Sequence, residues 1–135
     1  MLISLHDFGA ISEVIPKPGQ TIEETLLDEL NVDGFSEMDR FNPMLLRGRN
    51  DESVGRFVML GRRHHKPQEE ENYIADIITG MPEKHWCYGP YVIAFERNGE
   101  FVDIPSNCVT IAADVVSALV EMTTKEIPFY GKGDV

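Results

Sequence analysis

Residues 61–73 read GRRHHKPQEEENY: two arginines, two histidines and a lysine, then three consecutive glutamates. Imidazoles beside carboxylates are the raw material of a metal centre or an acid–base pair. The spacing argues against both. His64 and His65 are neighbours, and neighbours on a strand point to opposite faces, so they do not converge on one ion. A structural zinc site needs four nitrogen or sulfur donors, usually with a close pair. His85-Trp86-Cys87 offers one such pair, but Cys108 is distant and no further histidine is placed to complete it. No metal ligand set and no cofactor are therefore expected, and the stretch reads as a basic strand end meeting an acidic helix start.

Nucleophilic chemistry has one other candidate. On a strand, His85 and Cys87 would lie on one side with backbones about 7 Å apart. No residue nearby activates the thiol, and GxSxG, Walker and GxGxxG patterns are absent. The chain is read as a non-enzyme, with a small enzyme centred on His85 and Cys87 as the alternative. Both cysteines are expected to be buried thiols, as free cysteine commonly is.

The charge map points to a binding function. The formal net charge is −11, and residues 1–40 hold nine acids against two bases. Residues 41–66 reverse this with six bases and two acids, and residues 67–103 return to eight acids and two bases. Arg47, Arg49, Arg56, Arg62, Arg63 and Lys66 form the basic block. An acidic remainder repels a polyanion at long range, so nucleic acid is not an expected partner, and an acidic nucleic-acid mimic is a further alternative. A basic protein is the expected partner. The surface assigned to it is Glu24, Asp28 and Glu29 on a helix, extended by Asp33, Glu37 and Asp39. Trp86 and Tyr88 are the second choice, since both residue types are enriched at binding hot spots.

These residues need elements to hold them. At 135 residues and 42% hydrophobic composition the chain is expected to form one domain, 1–135, with a sizeable core. No apolar run approaches the ~18 residues needed to span a bilayer. The first residues carry no basic region before an apolar one, so cytoplasmic residence without membrane association is expected. Met1–His6 reads as a strand. Thr21-Ile22-Glu23-Glu24 is a capping box opening a helix whose apolar stripe is Ile22, Leu26, Leu27 and Leu30, with Thr25 among its exposed residues and Gly34 as its stop. Two hairpins follow: 44–49 with 54–60 about the turn 50–53, and 91–96 with 100–104 about Asn98-Gly99, a dipeptide suited to positive φ. Between them Pro67 opens a second helix with Glu69–Glu71 in its first turn. A third helix is expected over 110–124, and an edge strand at 127–130. The expected class is α+β, an antiparallel sheet built from two hairpins with about three helices packed mainly on one face.

The last third carries a resemblance. Gly89-Pro90-Tyr91-Val92-Ile93-Ala94-Phe95, then Asn98-Gly99, then Phe101-Val102-Asp103-Ile104-Pro105, form a hairpin ending in an Ile-Pro step. It runs through Cys108-Val109-Thr110 into Ala113–Met122, followed by Ile127-Pro128. This resembles the small immunity proteins of bacterial polymorphic toxin systems, in particular the family often encoded beside deaminase-type toxins. The resemblance implies a cytoplasmic α+β protein that binds and blocks one cognate toxin domain.

Overall fold

The computed structural model describes residues 1–6, 9–43, 46, 55–80, 82–104, 110, 113, 114 and 117. Six strands, β1 (Leu2–Leu5), β2 (Ile11–Val14), β3 (Met38–Phe41), β4 (Arg56–Arg62), β5 (Tyr91–Arg97) and β6 (Glu100–Val102), form one antiparallel sheet in the order β2-β1-β5-β4-β3. β5 is the axis. β4 pairs along one of its edges from Tyr91 to Glu96, while β1 takes residues 91–93 and β6 residues 95–97. Since β4 already occupies one edge at Phe95, β1 and β6 must lie end to end along the other. The Ile104 amide hydrogen bond to the Met1 carbonyl, at 3.5 Å, ties their ends together.

Alternation along β5 divides the core in two. Tyr91, Ile93 and Phe95 join Ile3, Leu5, Phe57 and Met59 under helix α2 (Tyr73–Ile78), which contributes Ile74, Ala75 and Ile78. Val92 and Ala94 join Leu2, Val58 and Leu60 under helix α1 (Ile22–Leu30), which contributes Leu26 and Leu30. The helices therefore cover opposite faces, not mainly one as expected. A strand buried on both faces reads as the uninterrupted apolar run YVIAF, all five residues of which are buried. Gly61 admits the Tyr91 ring to the first core, because a Cβ there would overlap the ring atoms.

Two α-helices, α1 and α2, have both ends among the described residues. Thr110, Ala113, Asp114 and Ser117 are helical, with Asp114 and Ser117 exposed. The rest of the expected 110–124 helix and the 127–130 strand lie outside the described residues, as do 44–45 and 47–54. β4 pairs antiparallel with β3, Met38 opposite Arg62 and Phe41 opposite Met59, a strand that the sequence reading did not include. β2 and β3 have no counterpart in the sequence reading: each is four residues long and half polar, too short for alternation to register.

α1 opens as expected. The Thr21 hydroxyl accepts the Glu24 amide at 3.1 Å and Glu24 accepts the Thr21 amide in return. It ends earlier, at Asn31 in left-handed conformation (φ 54°), whose amide bonds the Asp28 carbonyl. Thr25 is buried, not exposed, its hydroxyl bonding the Thr21 carbonyl at 2.8 Å. The β5–β6 turn uses Asn98 (φ 54°) and Gly99 (φ 79°), both positive as a tight turn between twisted strands requires.

The opening stretch resolves into pairs. Arg62 at the end of β4 meets Glu69 in an ion pair whose side chains are only 10% and 11% exposed. Arg63 pairs with Asp39 at 3.1 Å. Glu69–Glu71 do not form the first turn of α2. They precede it, and Asn72 is its cap.

A third pair spans three strands: Arg40 on β3 makes a two-pronged contact with Glu96 on β5, at 2.8 and 2.9 Å. The Arg40 hydrogen bond and charge hold the Glu96 carboxyl below its ordinary range, against the opposing effect of its burial. A depressed folded pKa contributes stability above the unfolded value, about 4.3 for glutamate, and loses it as pH falls through the folded value. Arg40 is 54% exposed, so screening limits the effect. Arg40→Met should cost about 1 kcal/mol at pH 7. In urea titrations the gap from the parent should begin to narrow below pH ~4, near that unfolded value, and close once pH has passed the lower folded value; a gap independent of pH would assign the loss to packing.

Candidate functional site

The acidic surface forms around α1. Residues 22–39 hold seven acids and no base. Glu24, Asp28, Asp33 and Glu37 are exposed, whereas Glu29 and Asp39 are half-buried. Most of these carboxylates are held by neutral donors. Glu24 closes the capping box, Asp28 accepts from the Gln20 amide at 2.6 Å, Glu29 from the Ser4 hydroxyl at 3.2 Å, and Glu37 from the Asp33 amide at 2.7 Å. Among the described residues, Asp39 is the only one of the six assigned acids with a cationic partner, Arg63. Beside them Phe35 is 48% exposed, its ring 6.0 Å from that of Phe101.

Trp86 and Tyr88 belong elsewhere, on the segment that runs beside α2. This segment is strapped to the chain before the helix: Glu71 bridges Tyr88, the Asn72 amide donates to the Cys87 carbonyl at 2.8 Å, and the Gly89 amide donates to the Glu70 carbonyl at 3.0 Å. Asn72 anchors the strap and is fully buried. Its Oδ1 accepts the Ala75 amide at 3.1 Å and caps α2, while Nδ2 donates to the Leu5 and Gly89 carbonyls at 3.0 and 2.8 Å. One amide donor and two carbonyl acceptors fix which end of the side chain is nitrogen.

Two consequences follow for the side chains here. His85 takes a left-handed backbone (φ 52°), so the strand geometry that would have put it beside Cys87 does not occur: His85 is exposed and Cys87 fully buried. Its Nδ1–H donates instead to Glu71 at 2.6 Å, and that bond raises the histidine pKa. The second consequence concerns Asp76, one turn into α2 and fully buried. Its Oδ1 accepts the Cys87 amide at 2.9 Å, and its Oδ2 has no hydrogen-bond partner among the described residues. Burial, then the nearby Glu71 carboxylate, pushes the Asp76 carboxyl up to about 6. Burial and the Asp76 carboxylate push the Cys87 thiol up to about 12, which leaves it protonated and unreactive.

Around this cluster Trp86 is 51% and Tyr73 45% exposed, and Tyr88 stacks on His65 with centroids 4.8 Å apart. Trp86 and Tyr88 thus lie with α2, on the face of the sheet opposite α1, and of the assigned acids Asp39, next to Met38 of the α1 core on β3, points to the α2 face as well. The sequence reading named His85 but missed Glu71 and Asp76 as its companions. Their one signal is that Glu71 and Asp76 flank a good helix cap, Asn72. Of the basic block, Arg62 and Arg63 are consumed by intrachain pairs, and Arg47 and Arg49 lie outside the described residues.

No protein-family model, curated protein or solved structure matches this chain.

Two tests address the strap. Asn72→Asp replaces two donors by an acceptor facing the Leu5 and Gly89 carbonyls, and should destabilise the fold by about 3 kcal/mol or more in denaturant titrations; a loss under about 1 kcal/mol would mean the strap is held by other contacts. Cys87 should react with a thiol reagent at the rate of global unfolding, accelerating steeply in urea. Reaction within seconds under native conditions would show the thiol to be open.

Proposed function

We propose that this chain is a non-enzymatic protein-binding inhibitor that engages a basic partner through the acidic surface around α1, and that the partner is a cognate bacterial toxin domain. One observation carries the reading: seven acids without a base over residues 22–39, four of them exposed, and four of the assigned six, Glu24, Asp28, Glu29 and Glu37, held by neutral donors or a cap. Such hydrogen bonds orient carboxylates without neutralising them. The field stays outward, where it accelerates encounter with a cationic surface. The side chains are already ordered, which lowers the entropy lost on binding. Exposed Phe35 supplies an apolar contact beside the charges. The resemblance of the last third to toxin-immunity proteins supports the partner class. No helix among the described residues is long and apolar enough to cross a membrane, which accords with a partner met in solution.

The test coexpresses this chain in a bacterial host with the product of any toxin-type gene found to neighbour its own. The parent should restore growth. Asp28→Lys, Asp33→Lys and Glu37→Lys together change the local charge by six units and spare the Glu24 cap. This variant should fold, yet associate with the toxin at least about tenfold more slowly at low ionic strength, with the difference shrinking as salt is raised. Failure of the parent to restore growth or form a complex would refute the immunity reading. An unchanged on-rate in the variant would move recognition to the Trp86 and Tyr88 face.

A further inference from the structure

Glu71, Asp76 and His85 come from three different local structures: the bridge before α2, the middle of α2, and a left-handed residue beyond it. One donor atom from each, a carboxylate oxygen from either acid and a ring nitrogen from the histidine, lie within 4.8 Å of one another. Asp76 is the unusual member. Its residue surface is wholly inaccessible, and Oδ2 is left without a hydrogen-bond partner among the described residues. A buried carboxylate with an unmet oxygen is costly unless a cation or donor completes it. No lysine or arginine is paired with it among the described residues, and the cation-capable group of the cluster, His85, is bonded to Glu71.

We propose that Glu71, Asp76 and His85 form a binding site for a divalent first-row transition cation of the zinc or manganese class. The chemistry of the donor set selects the ion. An imidazole with two carboxylates suits zinc, manganese or cobalt, whereas magnesium and calcium favour all-oxygen shells. Donors about 2.1 Å from a tetrahedral ion lie roughly 3.4 Å apart, so from the 4.8 Å bound the widest pair has to close by up to about 1.4 Å. His85, whose side chain is 53% exposed, is free to make that adjustment. Three protein ligands leave coordination positions open for water or a further ligand. Oδ1 of Asp76 keeps its bond to the Cys87 amide, which orients the carboxylate from behind. The site is independent of the acidic surface on α1 and does not require the toxin-binding reading.

The experiment titrates the chelator-treated full chain with Zn²⁺, with Mn²⁺ and Mg²⁺ in parallel, by calorimetry and thermal unfolding. One Zn²⁺ per chain should bind, and the unfolding midpoint should rise by roughly 5–10 °C at a hundredfold excess over Kd. Mg²⁺ should have no effect. His85→Ala, at an exposed position, should weaken zinc at least about tenfold, as second-sphere and ligand losses commonly do. Asp76→Asn should do the same, and His85→Ala decides the matter if that variant does not fold. The control is His64→Ala with His65→Ala, because paired surface histidines capture zinc on their own. Loss of binding in that control with retention in His85→Ala would overturn the site. So would the absence of saturable one-to-one binding by the parent.

Discussion

Asn72 is the constraint on which the α2 side of the molecule depends. It is buried completely and spends both side-chain donors, its side-chain acceptor and its backbone amide within the fold. Those bonds join β1, the start of α2, and the segment that leads into β5. Low local dielectric makes each bond count and makes any loss costly, since water cannot replace a missing partner. Everything distinctive about the α2 face follows from this attachment. It sets the line of residues 85–89 against residues 70–72, and so brings His85 to Glu71 and the Cys87 amide to Asp76.

The sheet imposes a second constraint. β5 has neighbours on both edges and helices over both faces, so its side chains have no solvated side. Two small cores result in place of one. The α1 core is aliphatic, whereas the α2 core carries Phe57, Tyr91 and Phe95, with Phe57 and Phe95 meeting edge-on at 5.2 Å. The two covering helices leave different outer surfaces, one carboxylate-rich and one aromatic with histidine. Function is read from these surfaces, because the fold itself is shared by many activities.

Charge is distributed with a matching asymmetry. Arg40, Arg62 and Arg63 each meet a carboxylate on another element. The acids of α1 meet amides and hydroxyls. Those three bases are tied to carboxylates, whereas most of the assigned acids around α1 have no cationic partner among the described residues. Such an arrangement favours rate and selectivity of encounter over raw affinity.

What the sequence by itself determined was local. The Thr21–Glu24 box, the Asn98-Gly99 turn, the apolar run of β5 and the burial of Cys87 were all legible, because each depends on residues within a few positions or on hydrophobicity alone. The α+β class and the antiparallel sheet followed from the same signals. Tertiary structure decided the rest. β2 and β3 are short, half-polar segments that become strands only because β1 and β4 offer edges with unpaired backbone groups. The second helix begins at Asn72, not Pro67, because the preceding glutamates are held by Arg62, by Gly89 and by the Tyr88 bridge. The Glu71–Asp76–His85 cluster was illegible for the same reason: a left-handed turn at His85 and a buried amide at Asn72 bring its members together, and contacts between separate segments leave no periodic trace in the chain.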